Sequence, residues 1–369
     1  MTNMKPFDLL DLRMMEGIGT YGPRNITGLA RTLDVPAETL RKRLIRLRSR
    51  VFLHVNIYHT NLGLKKAFVC ARSIPGKEQL LYDSMKANDF WIYVSRCYGM
   101  NEGCLGIYTI PVERIKEFED FVGSVEKLGL AESAKVSWST CFQAVHARIN
   151  WFKTKETGWA FEWEDWVKEI PRKSTKLPKT LVDPEEFPIL ADEKDVFILK
   201  ELEKDPTVNI VDLADMLGIS QQLAEYHYKR HVLDRGLIES FEVADFRFDM
   251  KGADMFYFFL TFDSAEKLAK FATSLFDKPF VLGLGKILHE NELILHAYLP
   301  KIEFRNFVDA LSKLINARLL KSYNYLIQDL RQAQRQTISF EHFKKRSWAY
   351  DHKKFLQNLE VLSEQLPKK

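Results

Sequence analysis

The chain has 369 residues, 46% hydrophobic and 28% charged, and a net charge of +4. That is too long for one ordinary domain and too apolar for a disordered chain, so roughly two to four folded domains are expected. No apolar run approaches the roughly 18 residues of a membrane span, and the start MTNMKPFDLLDLR lacks a signal-peptide core, so a cytoplasmic protein is expected, in which only clustered basic residues would point to nucleic acid.

In chain order, FDLLDLRMMEG reads as a first helix. Ile26, Leu29, Ala30 and Leu33 then share one helical face. Asp34-Val35-Pro36 breaks that pattern, and Pro36 suits the first turn of a new helix because the amide it lacks would be unpaired there. Leu40, Leu44 and Leu47 are the apolar stripe of this next helix, and Arg41, Lys42, Arg43, Arg46, Arg48 and Arg50 make the rest of it basic. This is the layout of a helix-turn-helix, whose second helix lies in the DNA major groove. VFLHVNIY follows as a strand for a wing.

Six elements come next: strand KKAFVCARS, helix KEQLLYDSMKA, strands WIYVSRCYG and CLGIYTIP, helix VERIKEFEDFVGSVEKL and strand AKVSWST. A β-α-β-β-α-β order is the ferredoxin-like pattern, an antiparallel sheet with helices on one face. The four cysteines (Cys70, Cys97, Cys104, Cys141) form no C-x-x-C pair, so reduced thiols without a zinc site are expected. A stretch with Trp151, Trp159, Trp163 and Trp166 is expected to cross the sheet or seal the contact between copies. Base stacking is disfavoured there because Glu162, Glu164 and Asp165 would repel phosphate. PRKSTKLPKTLVDPEEFP reads as an extended linker.

The pattern then repeats. A shift of 184 positions carries the first helix-turn-helix onto Ile210, Leu213, Ala214 and Leu217, with ADEKDVFILKELEKDP as the supporting helix and GLIESFEVADFRF as the wing strand. A shift of 189 carries the sheet domain onto a second one, Pro111 onto Pro300 and Phe118 onto Phe307. ISFEHFKKRSWAYD is the second aromatic stretch, and Phe355, Leu359, Leu362 and Leu366 line a last amphipathic helix. The expected fold class is therefore α+β: two tandem units, each a winged helix-turn-helix plus a ferredoxin-like domain. The boundaries read 1–56, 57–142, 143–188 (Trp-rich segment and linker), 189–250, 251–335 and 336–369.

GLARTLDVPAETLRKRLIRL, the run Asn61 to Leu64 and the strand-turn-strand around Gly99 together resemble the Lrp/AsnC family of transcriptional regulators, in the tandem form associated with archaea. The resemblance implies pairing through the sheets and, in many members, an amino-acid effector. The family's glycine-centred effector loop is matched only in part by Tyr98 to Gly103. In the second copy Leu288 stands for Gly99 and Glu292 for Gly103. Some proteins of the same architecture are sirohaem decarboxylases, working as paired or fused copies. That resemblance implies histidines and arginines converging on an anionic tetrapyrrole, for which His54, His59 and Arg247 are the candidates. The basic wing run expected of those enzymes is absent, and the enzyme reading is set second.

Residues 37–50 hold six Lys/Arg and one acid, whereas 221–234 hold two of each. The first copy is thus the expected phosphate binder. Thr39 with Lys42 or Arg43 would reach base edges, Arg46, Arg48 and Arg50 would meet phosphate, and Arg41 belongs to the same DNA-contact set. In the second copy Gln221 and Gln222 can hydrogen-bond adenine, with Lys229 and Arg230 beside phosphate. His227 and His231 are four apart, yet the sequence shows no third metal ligand. No P-loop, G-x-S-x-G or paired-carboxylate constellation appears. The sequence reading is therefore a sequence-specific DNA-binding regulator and not an enzyme, with no metal, cofactor or membrane. It would work as a pseudo-dimer within the chain, with an effector and a homodimer left open. The alternatives are a fused decarboxylase or a protein-interaction module.

Overall fold

Polar side chains cap the starts of several helices that the hydrophobic pattern marks. The computed structural model describes residues 7–99, 102–145, 161–244 and 251–366. Asp8 opens α1 (Leu9–Tyr21) in a capping box with Asp11, and Asn25 caps α2 (Ile26–Leu33). Asp34 turns the chain in the left-handed region, and α3 (Ala37–Arg48) follows Pro36. Leu29, Leu40 and Leu47 lock these helices together at zero exposure.

The first sheet domain runs β1 (Phe52–Ile57), β2 (Leu64–Arg72), α4 (Glu78–Ser84), β3 (Trp91–Gly99), β4 (Gly103–Pro111), α5 (Ile115–Lys127) and β5 (Ser133–Ser139). β6 (Gln143–Ala144) and α6 (Trp163–Glu169) lie in the Trp-rich stretch. The second copy repeats the order. It runs α7 (Glu193–Lys204), α8 (Ile210–Leu217), α9 (Gln221–Tyr226), β7 (Ile238–Ala244), β8 (Ala253–Thr261), α10 (Ala265–Ser274), β9 (Val281–Lys286), β10 (Glu292–Pro300), α11 (Lys301–Asn316) and β11 (Ser322–Arg335). After α9 the chain continues as a π-helix, His227–Leu233. A last helix, α12 (His352–Ser363), ends the fold.

The fold is α+β, with tandem units. Each copy builds a four-stranded antiparallel sheet, in the orders β5-β2-β4-β3 and β11-β8-β10-β9. The two sheets join edge to edge where β3 runs antiparallel to β11, Gly99 opposite Leu326. At the far edges Ser139 bridges to Ile287 and β6 pairs with β9. Joined on both sides, the sheets enclose a space between the faces that their helices do not cover. Phe68, Leu105, Tyr257, Ile294 and Leu326 fill part of it.

One expectation changes. The strands after the helix-turn-helix units do not build a wing in each copy: β1 pairs with β7, Val55 opposite Phe241, so each copy gives one strand to a shared ribbon. Of the two roles expected of the aromatic segments, the described residues take the second, sealing contacts between the copies rather than crossing the sheet. Trp166 lies on the helical face of the second copy against Phe271, Phe280 and Phe307, and its indole donates to Ser274 Oγ at 3.0 Å. Trp163 packs beside it and donates to Glu303; Trp151 and Trp159 lie outside the described residues. After the second copy, Trp348 and Phe355 pack on Phe90 of the first copy. Asn358 of α12 donates to the Ala87 carbonyl at 3.0 Å, and His352 meets Asp120 of α5. Each copy's helices are thus covered by the segment that follows the other copy. Among the described residues no helix is long and apolar enough to cross a membrane.

Phe355 has no exposed surface, so truncating it leaves a cavity in the first copy's core. Phe355→Ala should cost roughly 3–5 kcal/mol of stability in denaturant unfolding.

Candidate active site

Strand alternation decides what faces the enclosed space. On β2, Ala67 and Val69 point to the helices while Lys66 and Phe68 point inward. On β8 and β10, Phe258 and Leu295 point to the helices, and Tyr257 and His296 point inward. A break in register between Gln328 and Ala333 bends β11, after which Arg335 lies opposite Tyr93. The β1–β7 ribbon closes this end, with His54 opposite Glu242.

A cavity of about 280 Å³ results. Its apolar walls include Phe52, Phe68, Ile107, Phe142 and Leu282. Its polar groups include His54, His59, Lys66, Tyr93, His296, Arg335, Glu203 and Glu242. The His296 ring stacks on Tyr257 at 4.3 Å and an angle of 6°. His296 Nε2 lies 3.2 Å from Gln328 Oε1, and Gln328 Nε2 donates to the Tyr93 hydroxyl at 2.8 Å. His54 stacks on Phe52, and the Arg335 guanidinium sits 5.0 Å from the same ring. Both ring nitrogens of His59 are buried without a partner.

Burial sets the protonation states, because these groups open on the cavity rather than on bulk water. It lowers His296 to about 3, and it holds His54 and His59 well below the usual histidine range, with Lys66 adding to the effect on both. It pushes Glu203 up to about 7 and raises Glu242. The Tyr93 phenol is pushed up to about 12. At neutral pH the cavity thus combines neutral imidazoles and a phenol with the permanent cation of Arg335. Such a set can orient an anionic carboxylate and move a proton, and neutral imidazole can ligate a metal carried by a ligand.

His54 and His59, the sequence's tetrapyrrole candidates, both line this cavity, while Arg247 lies outside the described residues. The sequence reading missed His296, Arg335, Lys66 and Tyr93. The available signals were a histidine inside the apolar strand LILHAYLP and a basic run, RQAQR, extending the last strand past its apolar part. A second cavity, about 310 Å³, opens at the other end of the enclosed space near Gly103, with Arg72, Lys135 and Glu292 on its walls. The partly matched effector loop lies there, its residues 100 and 101 outside the described set.

The DNA-contact candidates are differently disposed. Arg43 reaches Asp8 and Asp11 at 2.7 Å each, and Arg46 also reaches Asp11. Arg48 bonds Asp205 of the second copy at 2.8 Å, and Arg50 lies over the Phe7 ring. Arg41 meets Glu38, Lys229 meets Glu225, and Arg230 meets Asp234. Lys42, Gln221 and Gln222 are exposed and Thr39 half-buried. The basic charge counted in the first helix-turn-helix is therefore largely matched by acids within the chain.

Residues 192–230 match the family described as Winged helix-turn-helix DNA-binding. No curated protein matches the chain in sequence. Among solved structures, the siroheme decarboxylase NirDL is similar over 95% of this chain and 98% of its own, at 12% identity and a TM-score of 0.50. NirDL in co-complex with an iron-uroporphyrin III analogue is similar over 95% and 97%, at 13% identity and a TM-score of 0.52. At that identity the likeness is one of fold. It corrects the expectation that the chain is not an enzyme, since an enzyme is built on this architecture from end to end. The wing sequences carry only part of the polar lining, because Lys66, Tyr93, His296 and Arg335 come from the sheets.

Glu203 titrates at about 7 in the folded chain against an ordinary 4.5. The folded state therefore binds the extra proton in that window, and this contribution to stability is lost as pH rises through it. Glu203→Gln should gain in Tm relative to wild type between pH 4.5 and 7, and the gain should level off above.

Proposed function

We propose that the chain is a decarboxylase of a carboxylate-bearing tetrapyrrole, and that it works in the cavity between the two sheets. One observation carries this reading: His54, His296 and Arg335, from three strands and both copies, converge on one enclosed space. The end-to-end likeness in fold to an enzyme of that activity supports it.

The chemistry follows from the lining. Decarboxylation breaks a carbon–carboxylate bond, releases carbon dioxide and leaves an electron pair on carbon that must take up a proton. Arg335, with Lys66, would hold and orient the departing carboxylate. The aromatic walls exclude water, which favours dispersing the carboxylate charge. Tyr93, kept as a phenol by burial, is the proton donor in this scheme. His54 and His296 are neutral imidazoles, the form that binds iron in an iron tetrapyrrole substrate. At about 280 Å³ the cavity is near the low end of small-molecule sites. A macrocycle would enter it edge first, carboxylates leading, and would displace the β1–β7 ribbon. No second chain is needed to complete the site, and the reading places the protein in the cytoplasm.

Titration with iron uroporphyrin III should shift the tetrapyrrole's visible absorbance, and anaerobic incubation with sirohaem should give products lighter by carbon dioxide in mass spectra. Arg335→Ala and Tyr93→Phe should each slow product formation by about 100-fold or more. A folded wild type that leaves both spectra unchanged would sink the proposal.

The family match at 192–230 favours a second reading, DNA recognition by a regulator of Lrp/AsnC type. Thr39, Lys42, Gln221 and Gln222 would carry it, because the arginines Arg43 and Arg46 already hold Asp8 and Asp11 in place. Binding to mixed duplex DNA should then weaken steeply with salt, and Lys42→Ala should flatten the slope by about one unit. Absence of binding at low salt removes this reading.

A further inference from the structure

The two copies solve one electrostatic problem in two ways. A shift of 184 positions carries Asp8 to Asp192, Asp11 to Asp195 and Arg43 to His227. In the first copy the two carboxylates at the start of α1 are met by the guanidiniums of Arg43 and Arg46. In the second copy the helix gains one residue as it passes into the π-helix. The buried stripe Leu40, Leu44, Leu47 thereby becomes Ala224, Tyr228, Val232, the last at a shift of 185. The same shift carries Arg46 to His231. Both arginines are thus replaced by histidines around the same pair of carboxylates.

The histidine pair that lacked a third ligand in the sequence gains two from the cap of α7. His227 Nδ1 lies 2.7 Å from Asp195 Oδ1 and 3.8 Å from Asp192 Oδ1. His231 Nδ1 lies 3.1 Å from Asp195 Oδ2 and 3.8 Å from Asp192 Oδ2. One ligand atom from each of the four residues falls within 4.8 Å of all the others. The Asp195 side chain has no exposed surface, and those of His227 and His231 have 7% and 12%.

We infer that Asp192, Asp195, His227 and His231 bind a divalent transition-metal ion of the zinc class, which takes the place of the two arginines of the first copy. Arginine is a permanent cation and offers no lone pair, whereas neutral imidazole is a ligand. The buried Asp195 carboxylate, with the half-buried Asp192 beside it, needs positive charge nearby, and a doubly charged ion supplies as much as two guanidiniums. Two nitrogen and two oxygen donors suit four-coordinate zinc. Ligands about 2.1 Å from a tetrahedral ion stand about 3.4 Å apart; the carboxylate–imidazole distances of 2.7 to 3.8 Å lie on either side of that edge, and binding would draw in the four-atom set, which lies within 4.8 Å. The carboxylates are already oriented: Asp195 Oδ2 accepts the Asp192 amide, and Asp192 Oδ1 accepts the amides of Lys194 and Asp195. Such outer hydrogen bonds are what hold metal ligands in place. The π-helix that delivers His231 is rare backbone, found chiefly at functional sites. The ion would tie the start of α7 to the π-helix that follows α9 and stands independent of the chemistry in the cavity.

The full chain, stripped with a chelator, is titrated with Co²⁺ and then Zn²⁺. One Co²⁺ per chain should bind with the intense visible bands of a tetrahedral site, Zn²⁺ should displace it, and Tm should rise with metal. His231→Gln should weaken binding by at least about 10-fold. The double variant His227→Arg/His231→Arg, which restores the first copy's arrangement, should fold without metal and show no bands. Bands of equal stoichiometry in either variant would place the ion elsewhere, and a folded wild type without bands or a rise in Tm would also overturn the assignment.

Discussion

The backbone ladder between β3 and β11 is the contact on which the rest of the molecule depends. Each sheet has one face covered by its own helices and one left open. An open apolar face costs solvation, and an unpaired sheet edge invites association. Pairing edge to edge removes two such edges and turns the two open faces toward each other. The cavity, its polar lining and the shared β1–β7 ribbon all follow from that closure. Duplication within one chain makes the pairing intramolecular, so it does not depend on concentration.

The elements themselves were legible because hydrophobic period and turn chemistry are local. The β-α-β-β-α-β order, the helix-turn-helix units and the shifts of 184 and 189 all emerge from short windows. What escaped was whatever depends on two distant strands meeting. His296 sits in LILHAYLP, where one polar residue among apolar ones reads as a tolerated exception until a second sheet faces it. Arg335 joins the site only because β11 breaks register before it. Asp192 and Asp195 precede their histidines by more than thirty residues, and no spacing rule links a helix cap to a recognition helix.

Counting charge over a window misses part of the charge balance for a related reason. Six cations in fourteen residues look like a phosphate-binding face. The sum over a window omits Asp8, Asp11 and Asp205, which the fold brings against Arg43, Arg46 and Arg48. Asp11 is buried, so the guanidiniums beside it do structural work whatever else the helix touches. The basic helix of the first helix-turn-helix is therefore held in part by partners within the chain.

The exchange of covering segments has a consequence for synthesis. Phe90 is in place early, but Phe355, which packs on it, is made more than two hundred residues later. At about 5–20 residues per second, the first copy leaves the ribosome with bare helices for roughly ten to fifty seconds. During that time its apolar face is available to chaperones and to neighbouring chains. The core of the N-terminal half is thus completed only when the last helix has been made.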